Sequence, residues 1–145
     1  MKEAQTVYFN NNNHYRQAVE METREDRFIK KLKNDYPNHK IENNFPIMQA
    51  LRGVKEAEEI HLIQQACNIT EKGFKRVLGF IKPGVMEYEI EAEYAYEFLK
   101  NRSKGFAYTP IIASGYNACV LHYIENNKVC KDGDMLLMDV GAEYA

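Results

Sequence analysis

The stretch DGDMLLMDVGAEYA, residues 132–145, places an aspartate at the end of an apolar run. The run Met135 to Met138 is typical of a β-strand that is covered on both faces. An unpaired carboxylate on such a strand would cost roughly several kcal/mol or would take up a proton. The residue types leave two readings of Asp139 open: a structural aspartate that is paired or ends the strand, or a ligand of a metal ion.

Upstream of this stretch, helical patterns give way to short strands. Segments 107–115, 118–124 and 135–144 are predicted strands, because β-branched, aromatic and aliphatic runs alternate with turn residues. Two helices are predicted before them, at 54–81 and 87–100. The first carries one apolar stripe at steps of three and four, namely Ile60, Ile63, Cys67, Thr70, Phe74, Val77, Leu78 and Ile81. Helices followed by strands predict an α+β fold.

The first 50 residues are less regular. Thr23 and Asp26 have the spacing of a capping box at the start of a helix, which Pro37 cannot continue. Residues 43–55 are predicted to be a connector with a short extended piece. The asparagine-rich tract 9–15 is predicted to be a loop.

Composition excludes several classes of partner. The 145 residues are 45% hydrophobic and 28% charged, with a net charge of −2. That balance favours a globular protein and predicts neither nucleic-acid nor membrane binding. The cysteines, Cys67, Cys119 and Cys130, have no metal-binding spacing and are predicted to be reduced thiols of a cytoplasmic protein.

His122 is the other candidate for chemistry. It lies in the sequence LHY, inside the predicted strand 118–124, where a lone histidine can be a structural core residue. It can alternatively donate a hydrogen bond to a substrate or carry a proton near a metal. Cys119 does not pair with it on a strand, because residues three apart face opposite sides. No GxSxG, HExxH, P-loop or GxGxxG motif is present.

The region 113–144, ASGYNACVLHYIENNKVCKDGDMLLMDVGAEY, resembles the pita-bread metallopeptidases, and most of all aminopeptidase P. It has the family's small-residue turn with Asn, the apolar segment with LHY, the Asn-containing hairpin, DGD, and the apolar strand leading to Asp and GAEY. Arg52, Lys55, Glu59 and Ile60 match the RxxKxxxEI pattern that begins the family's catalytic domain, and IKPGVMEYEIEAEY (81–94) matches its helix break and second helix.

This resemblance implies an aminopeptidase that removes the N-terminal residue from peptides with proline in the second position. It also implies two divalent metals, typically Mn²⁺, held by two Asp, one His and two Glu, since such oxygen-rich ligation suits Mn²⁺. Asp139 resembles the first Asp ligand. His122 resembles the family histidine that binds near the scissile bond and assists its cleavage.

The resemblance further implies that the chain is one piece of a longer protein. The family's second Asp follows in a stretch resembling SDITRT, and its His and Glu ligands lie further along. Residues 1–50 are expected to be the tail of an N-terminal domain, and 51–145 the first part of a pita-bread domain. By itself the chain is expected to be inactive, to bind no metal, and to form homo-oligomers through an exposed sheet edge.

Two alternatives remain open. One is a sister hydrolase, such as a prolidase acting on dipeptides or a creatinase-type enzyme without metals. The other is a non-enzymatic pita-bread binding module, against which the presence of both Asp139 and His122 argues.

Overall fold

A computed structural model describes residues 4–10 and 22–145, so most of the asparagine-rich tract lies outside the described residues. The chain divides into two compact units, Met1–Lys55 and Glu56–Ala145. The first unit contains β1 (Thr6–Phe9), α1 (Arg24–Asp35), β2 (Lys40–Asn43) and α2 (Phe45–Gly53). The second contains α3 (Ala57–Phe80), α4 (Glu87–Lys100), β3 (Ile111–Ser114), a 3₁₀ helix (Gly115–Cys119) and β4 (Leu136–Asp139).

In the first unit, β1 and β2 pair in parallel, and α1 begins as predicted. The Thr23 hydroxyl accepts from the Asp26 amide at 3.1 Å, and the Asp26 carboxylate accepts from the Thr23 amide at 2.9 Å. The predicted connector 43–55 is wrong, because most of it forms α2. Proline in a first helical turn costs no hydrogen bond, so Pro46 is accommodated in the first turn of this helix.

In the second unit, α4 has the predicted bounds, whereas the face that α3 buries overlaps the predicted stripe only in part, at Val77. The residues that α3 buries are Ile69, Gly73 and Val77. Most of the predicted stripe is exposed, including Ile60, Ile63, Cys67, Phe74 and Leu78. Both faces of α3 have apolar residues at helical spacing, so the pattern did not identify the buried one. Within 4–10 and 22–145, no helix is long and apolar enough to cross a bilayer.

The core of the second unit lies between the two long helices and the sheet. Its fully buried aromatic side chains are Tyr94 and Phe98, which pack with ring centroids 5.7 Å apart. Burial raises the pKa of Tyr94 to about 12, and its hydroxyl lies 3.7 Å from the sulfur of Met138 on β4. The helices therefore pack against the face of β4 that carries Met138.

The described residues cover strand β4 on one face only, which corrects the expectation of a strand buried on both sides. It pairs with β3 in antiparallel register, with Ile111 opposite Asp139 and Ala113 opposite Leu137. Leu136 and Met138 pack against the helical core, while Leu137 and Asp139 are exposed. An apolar run thus indicated a strand correctly but did not indicate how many faces were covered.

The predicted strand 118–124 is absent from the described structure. The chain instead forms the 3₁₀ helix Gly115–Cys119 and then a turn. His122 has a φ of 55°, in the left-handed region, which a strand does not allow. The apolar residues here, such as Leu121, are largely exposed, so hydrophobicity alone misled the prediction.

Candidate functional site

Asp139 ends β4 on the exposed face of the sheet. The Tyr108 hydroxyl donates a hydrogen bond to its Oδ1 at 2.7 Å. No described residue hydrogen-bonds Oδ2, which leaves one oxygen of the carboxylate accessible. The bond to Asp139 raises the pKa of Tyr108, so the tyrosine remains a donor at neutral pH. Among the described residues, the hydrogen-bond partner of Asp139 is thus a neutral hydroxyl and not a Lys or Arg side chain.

The segment that follows β4 allows Tyr108 to reach Asp139. A Cβ added at Gly141 would lie 3.2 Å from Cε1 of the Tyr108 ring, so only glycine leaves comfortable space for it. The Ala107 amide donates to the Gly141 carbonyl at 2.9 Å, and the Ala142 amide donates to the Thr70 hydroxyl at 3.0 Å. These contacts tie the end of β4 to both Tyr108 and α3.

His122 lies in the exposed turn beyond the 3₁₀ helix and is not a core residue. The side chain that follows it, Tyr123, is buried. An exposed imidazole is available to a ligand, which excludes the structural core reading of His122. The left-handed backbone at this position is uncommon for a residue other than glycine and needs support from its surroundings.

A buried carboxylate, Glu87, was missed from the sequence. Its two oxygens accept four hydrogen bonds, from the Ser114 amide and hydroxyl at 2.7 Å each, the Tyr123 hydroxyl at 2.8 Å and the Lys128 amide at 3.0 Å. Burial alone would raise the pKa of Glu87, but these bonds outweigh it and the pKa is lowered. An acidic residue in the first turn of a helix is usually exposed and stabilises the helix dipole, so nothing in the sequence indicated that Glu87 is buried.

The described residues fit a single metal ligand but not a complete metal site. Asp139 supplies a hard carboxylate oxygen of the type that divalent cations bind. Across 4–10 and 22–145, no three His, Cys, Asp or Glu side chains lie together so that they could hold a metal ion. The structure therefore does not bring His122 and Asp139 into one ligand cluster.

Comparison with known proteins identifies the class to which this fold belongs. Residues 61–145 match the sequence model of metallopeptidase family M24. The chain belongs to metallopeptidase family M24. This agrees with the predicted partial pita-bread fold, since the similar solved structures include aminopeptidases P and a prolidase.

The individual relatives include Xaa-Pro aminopeptidases and a prolidase. The chain is 40% identical over 100 residues to the Xaa-Pro aminopeptidase of Haemophilus influenzae, covering 69% of this chain and 23% of the relative. Aminopeptidase PepP of Pseudomonas aeruginosa superposes with a TM-score of 0.73 at 30% identity, over 96% of this chain and 32% of that protein. Prolidase from Pyrococcus furiosus superposes with a TM-score of 0.75 at 25% identity, over 98% of this chain and 41% of that protein. The chain thus spans between about a quarter and two fifths of these three relatives.

Proposed function

We propose that this chain is part of a metal-dependent aminopeptidase that removes the N-terminal residue from peptides with proline in the second position. The observation that carries this proposal is the 40% identity to an Xaa-Pro aminopeptidase over 100 residues. The accessible carboxylate of Asp139 and the exposed imidazole of His122 are compatible with it. Both side chains belong to the second unit, Glu56–Ala145.

We assign each of these residues a role. Asp139 is a metal ligand whose Oδ1 is oriented by the Tyr108 hydroxyl and whose Oδ2 is available to a cation. Two divalent metals, with Mn²⁺ suited to such oxygen ligands, would polarise the scissile carbonyl and activate water in the whole protein. His122 donates a hydrogen bond to the peptide near the scissile bond and transfers a proton there. By the family pattern, the remaining ligands are expected outside residues 1–145, and this chain alone should be inactive.

A chimera tests these roles. We would replace the matching segment of the Haemophilus influenzae relative by residues 56–145 of this chain. We expect the chimera to cleave a tripeptide with proline in second position and to contain bound metal. Asp139→Asn should lower kcat/KM by more than about 100-fold and reduce the metal content. His122→Ala should lower kcat/KM by about 100-fold or more while the metal stays bound.

Asp132→Asn is the matched control, because Asp132 is exposed, lies in the turn before β4 and makes no hydrogen bond with any described residue. It should leave both activity and metal content unchanged. A chimera that is active and retains its metal despite Asp139→Asn would contradict the assignment of Asp139 as a ligand.

A prolidase is the second candidate, since part of the Pyrococcus furiosus enzyme superposes on this chain with a TM-score of 0.75. The higher identity to PepP favours the aminopeptidase. Relative rates on Xaa-Pro dipeptides and on longer peptides, measured on a whole protein that contains this chain, distinguish the two activities.

We also propose that this chain self-associates through the outer edge of β4. The outer edge of β3 is occupied, because the Ile112 and Ser114 amides donate to the side chains of Asn126 and Glu87. Among the described residues this sheet has two strands, so the backbone of β4 that faces away from β3 is available to another strand. Unpaired edges of this kind template pairing between chains.

Light scattering checks this association. The wild-type chain should show a mass above that of a monomer that rises with concentration. Leu137→Lys places a charge on the exposed face of β4 and should shift the chain towards monomer. Leu99→Lys, at an exposed position of α4, should behave like the wild type. A wild-type chain that stays monomeric at all concentrations would refute the association.

We propose a cytoplasmic location, supported by three cysteines that are all free in the structure. We further propose that residues 1–50 are the end of an N-terminal domain and that 51–145 begin the catalytic domain.

A further inference from the structure

The chain around His122 has little support from its own backbone. Between the 3₁₀ helix and the β-bridge that joins Val129 to Met86, residues 120–127 form neither helix nor strand. We call residues 120–127 the His122 loop. Two of its residues, His122 and Asn126, have positive φ angles of 55° and 44°. Such conformations cost free energy outside glycine and persist only where surrounding contacts impose them.

The first contact that holds the His122 loop is Glu87. One carboxylate oxygen, Oε1, accepts from both the amide and the hydroxyl of Ser114 at the end of β3. The other, Oε2, accepts from the Tyr123 hydroxyl and from the Lys128 amide. Tyr123 lies within the His122 loop, and Lys128 is the residue that directly follows the loop. A single buried carboxylate thereby connects the end of a strand to the residue immediately after His122.

The second contact is the side chain of Asn126, which is 3% exposed. Its Oδ1 accepts from the Ile112 amide at 2.9 Å, and its Nδ2 donates to the Pro110 carbonyl at 3.1 Å. An adjacent strand would pair with β3 through the same donor and acceptor groups. The amide side chain thus takes the place of a strand beside β3 and attaches the loop there.

Both Tyr123 and Asn126 of the loop bond to carboxylates on one face of α4. The Asn126 Nδ2 also donates to the Glu91 carboxylate at 2.8 Å, and Glu87 and Glu91 are four residues apart, hence on one helical face. Helix α4 is held in the core by Ile90 and Phe98, both fully buried. A rigid helix therefore holds the loop at two points three residues apart, Tyr123 and Asn126.

We propose that Glu87 and Asn126 are positioning residues that fix the left-handed backbone of His122 and hence the direction in which its imidazole projects. This inference rests on the proposed role of His122 in peptide cleavage. It gives the buried carboxylate of Glu87 a role in positioning His122, although Glu87 takes no part in the reaction itself. The carboxylate acts through the Tyr123 hydroxyl, and the amide acts through the edge of β3. Neither side chain touches the substrate.

Tyr123→Phe in the 145-residue chain tests the proposal, because it removes only the hydroxyl that bonds to Glu87 and, at the longer distance of 3.4 Å, to Asn127 within the same loop. We expect amide hydrogen exchange in residues 120–127 to accelerate by about tenfold or more, since a hydrogen bond to a charged acceptor is lost. The HN–Hα coupling of His122 should move from a single left-handed value towards an average over several conformations. Amide exchange within α4 should not change, which separates loop release from general destabilisation.

Tyr116→Phe is the matched control, since that side chain is 85% exposed and its hydroxyl bonds to no described residue. It should leave the exchange and the coupling as in the wild type. Asn126→Asp is a second variant that keeps a residue tolerant of positive φ but replaces the donor to both Pro110 and Glu91 by a carboxylate oxygen. It should also release the loop.

Unchanged coupling and exchange at His122 in both Tyr123→Phe and Asn126→Asp would overturn the positioning role. Because these measurements need no catalysis, their outcome is independent of the chimera assay. If the chimera is inactive while Tyr123→Phe releases the loop, the proposed activity fails and the structural role of Glu87 stands. If the chimera is active, Tyr123→Phe within it should lower kcat with the bound metal retained.

Discussion

Gly73→Ala is expected to destabilise the chain by about 2 kcal/mol, although alanine is the better helix former by about 1 kcal/mol. A Cβ at Gly73 would lie 2.8 Å from Cδ1 of Tyr94 and 2.9 Å from Cε1 of Phe98. Both rings are fully buried and packed against each other, so neither can move aside without disturbing the core. The overlap therefore outweighs the gain in helix propensity.

Gly79→Ala on the same helix is the matched control. Nothing lies within 4 Å of the Cβ that it would add. Both substitutions restrict the unfolded chain equally, so the difference between them isolates packing in the folded state. Gly79→Ala should be neutral or stabilising by up to about 1 kcal/mol. Urea unfolding followed by circular dichroism measures both, and a Gly73→Ala chain as stable as Gly79→Ala would contradict the close packing of α3 on α4.

Glu87→Gln is expected to lower the free energy of unfolding at pH 7 by about 2–3 kcal/mol. The two carboxylate oxygens each accept from a backbone amide, that of Ser114 and that of Lys128. A glutamine has one oxygen and one NH₂ group, so one of these buried amides would face a donor instead of an acceptor.

This loss should depend on pH. The folded-state pKa of Glu87 is lowered, so the carboxylate stabilises the fold above the ordinary carboxyl pKa of about 4.3. That stabilisation disappears as the pH falls through the lower pKa of the folded state. The difference in unfolding free energy between wild type and Glu87→Gln should therefore be largest near pH 7 and shrink at acidic pH.

Urea unfolding at about pH 7 and at about pH 3.5 measures this difference. The Tyr123 hydroxyl bonds to Glu87 directly, and burial raises the pKa of both Tyr123 and Cys130, so neither of these two groups changes charge in this range. Glu125→Gln is the control, because Glu125 is exposed in the His122 loop and makes no hydrogen bond with a described residue. A Glu87→Gln deficit that is the same at both pH values would contradict the linkage.

Local chemistry was predictable wherever one segment determines its own structure. The capping box of Thr23 and Asp26 and the complete extent of α4 could be predicted, because capping groups and helix-breaking Pro–Gly are adjacent in the chain. The apolar run before Asp139 likewise predicted a strand, and the combined motifs of 113–144 predicted the family.

Prediction failed where a residue's environment is supplied by distant segments. Apolar content predicted a strand at 118–124, but two side chains of α4 hold that segment in a turn and expose His122. The carboxylate of Glu87 is buried by residues that donate hydrogen bonds to it from 27 to 41 positions further along the chain. These donors are Ser114, Tyr123 and Lys128.

The sequence alone determined the fold class, the positions of α1, α3 and α4, and the two candidate residues, Asp139 and His122. These follow from the periodicity of neighbouring residues and from the spacing of motifs, which the folded state does not change. The tertiary structure decided which face of α3 is buried, which face of β4 is open and how the His122 loop is held. Those properties depend on close contacts such as that of Gly73 with Tyr94 and on hydrogen bonds across the fold, which exist only after the helices and strands have packed.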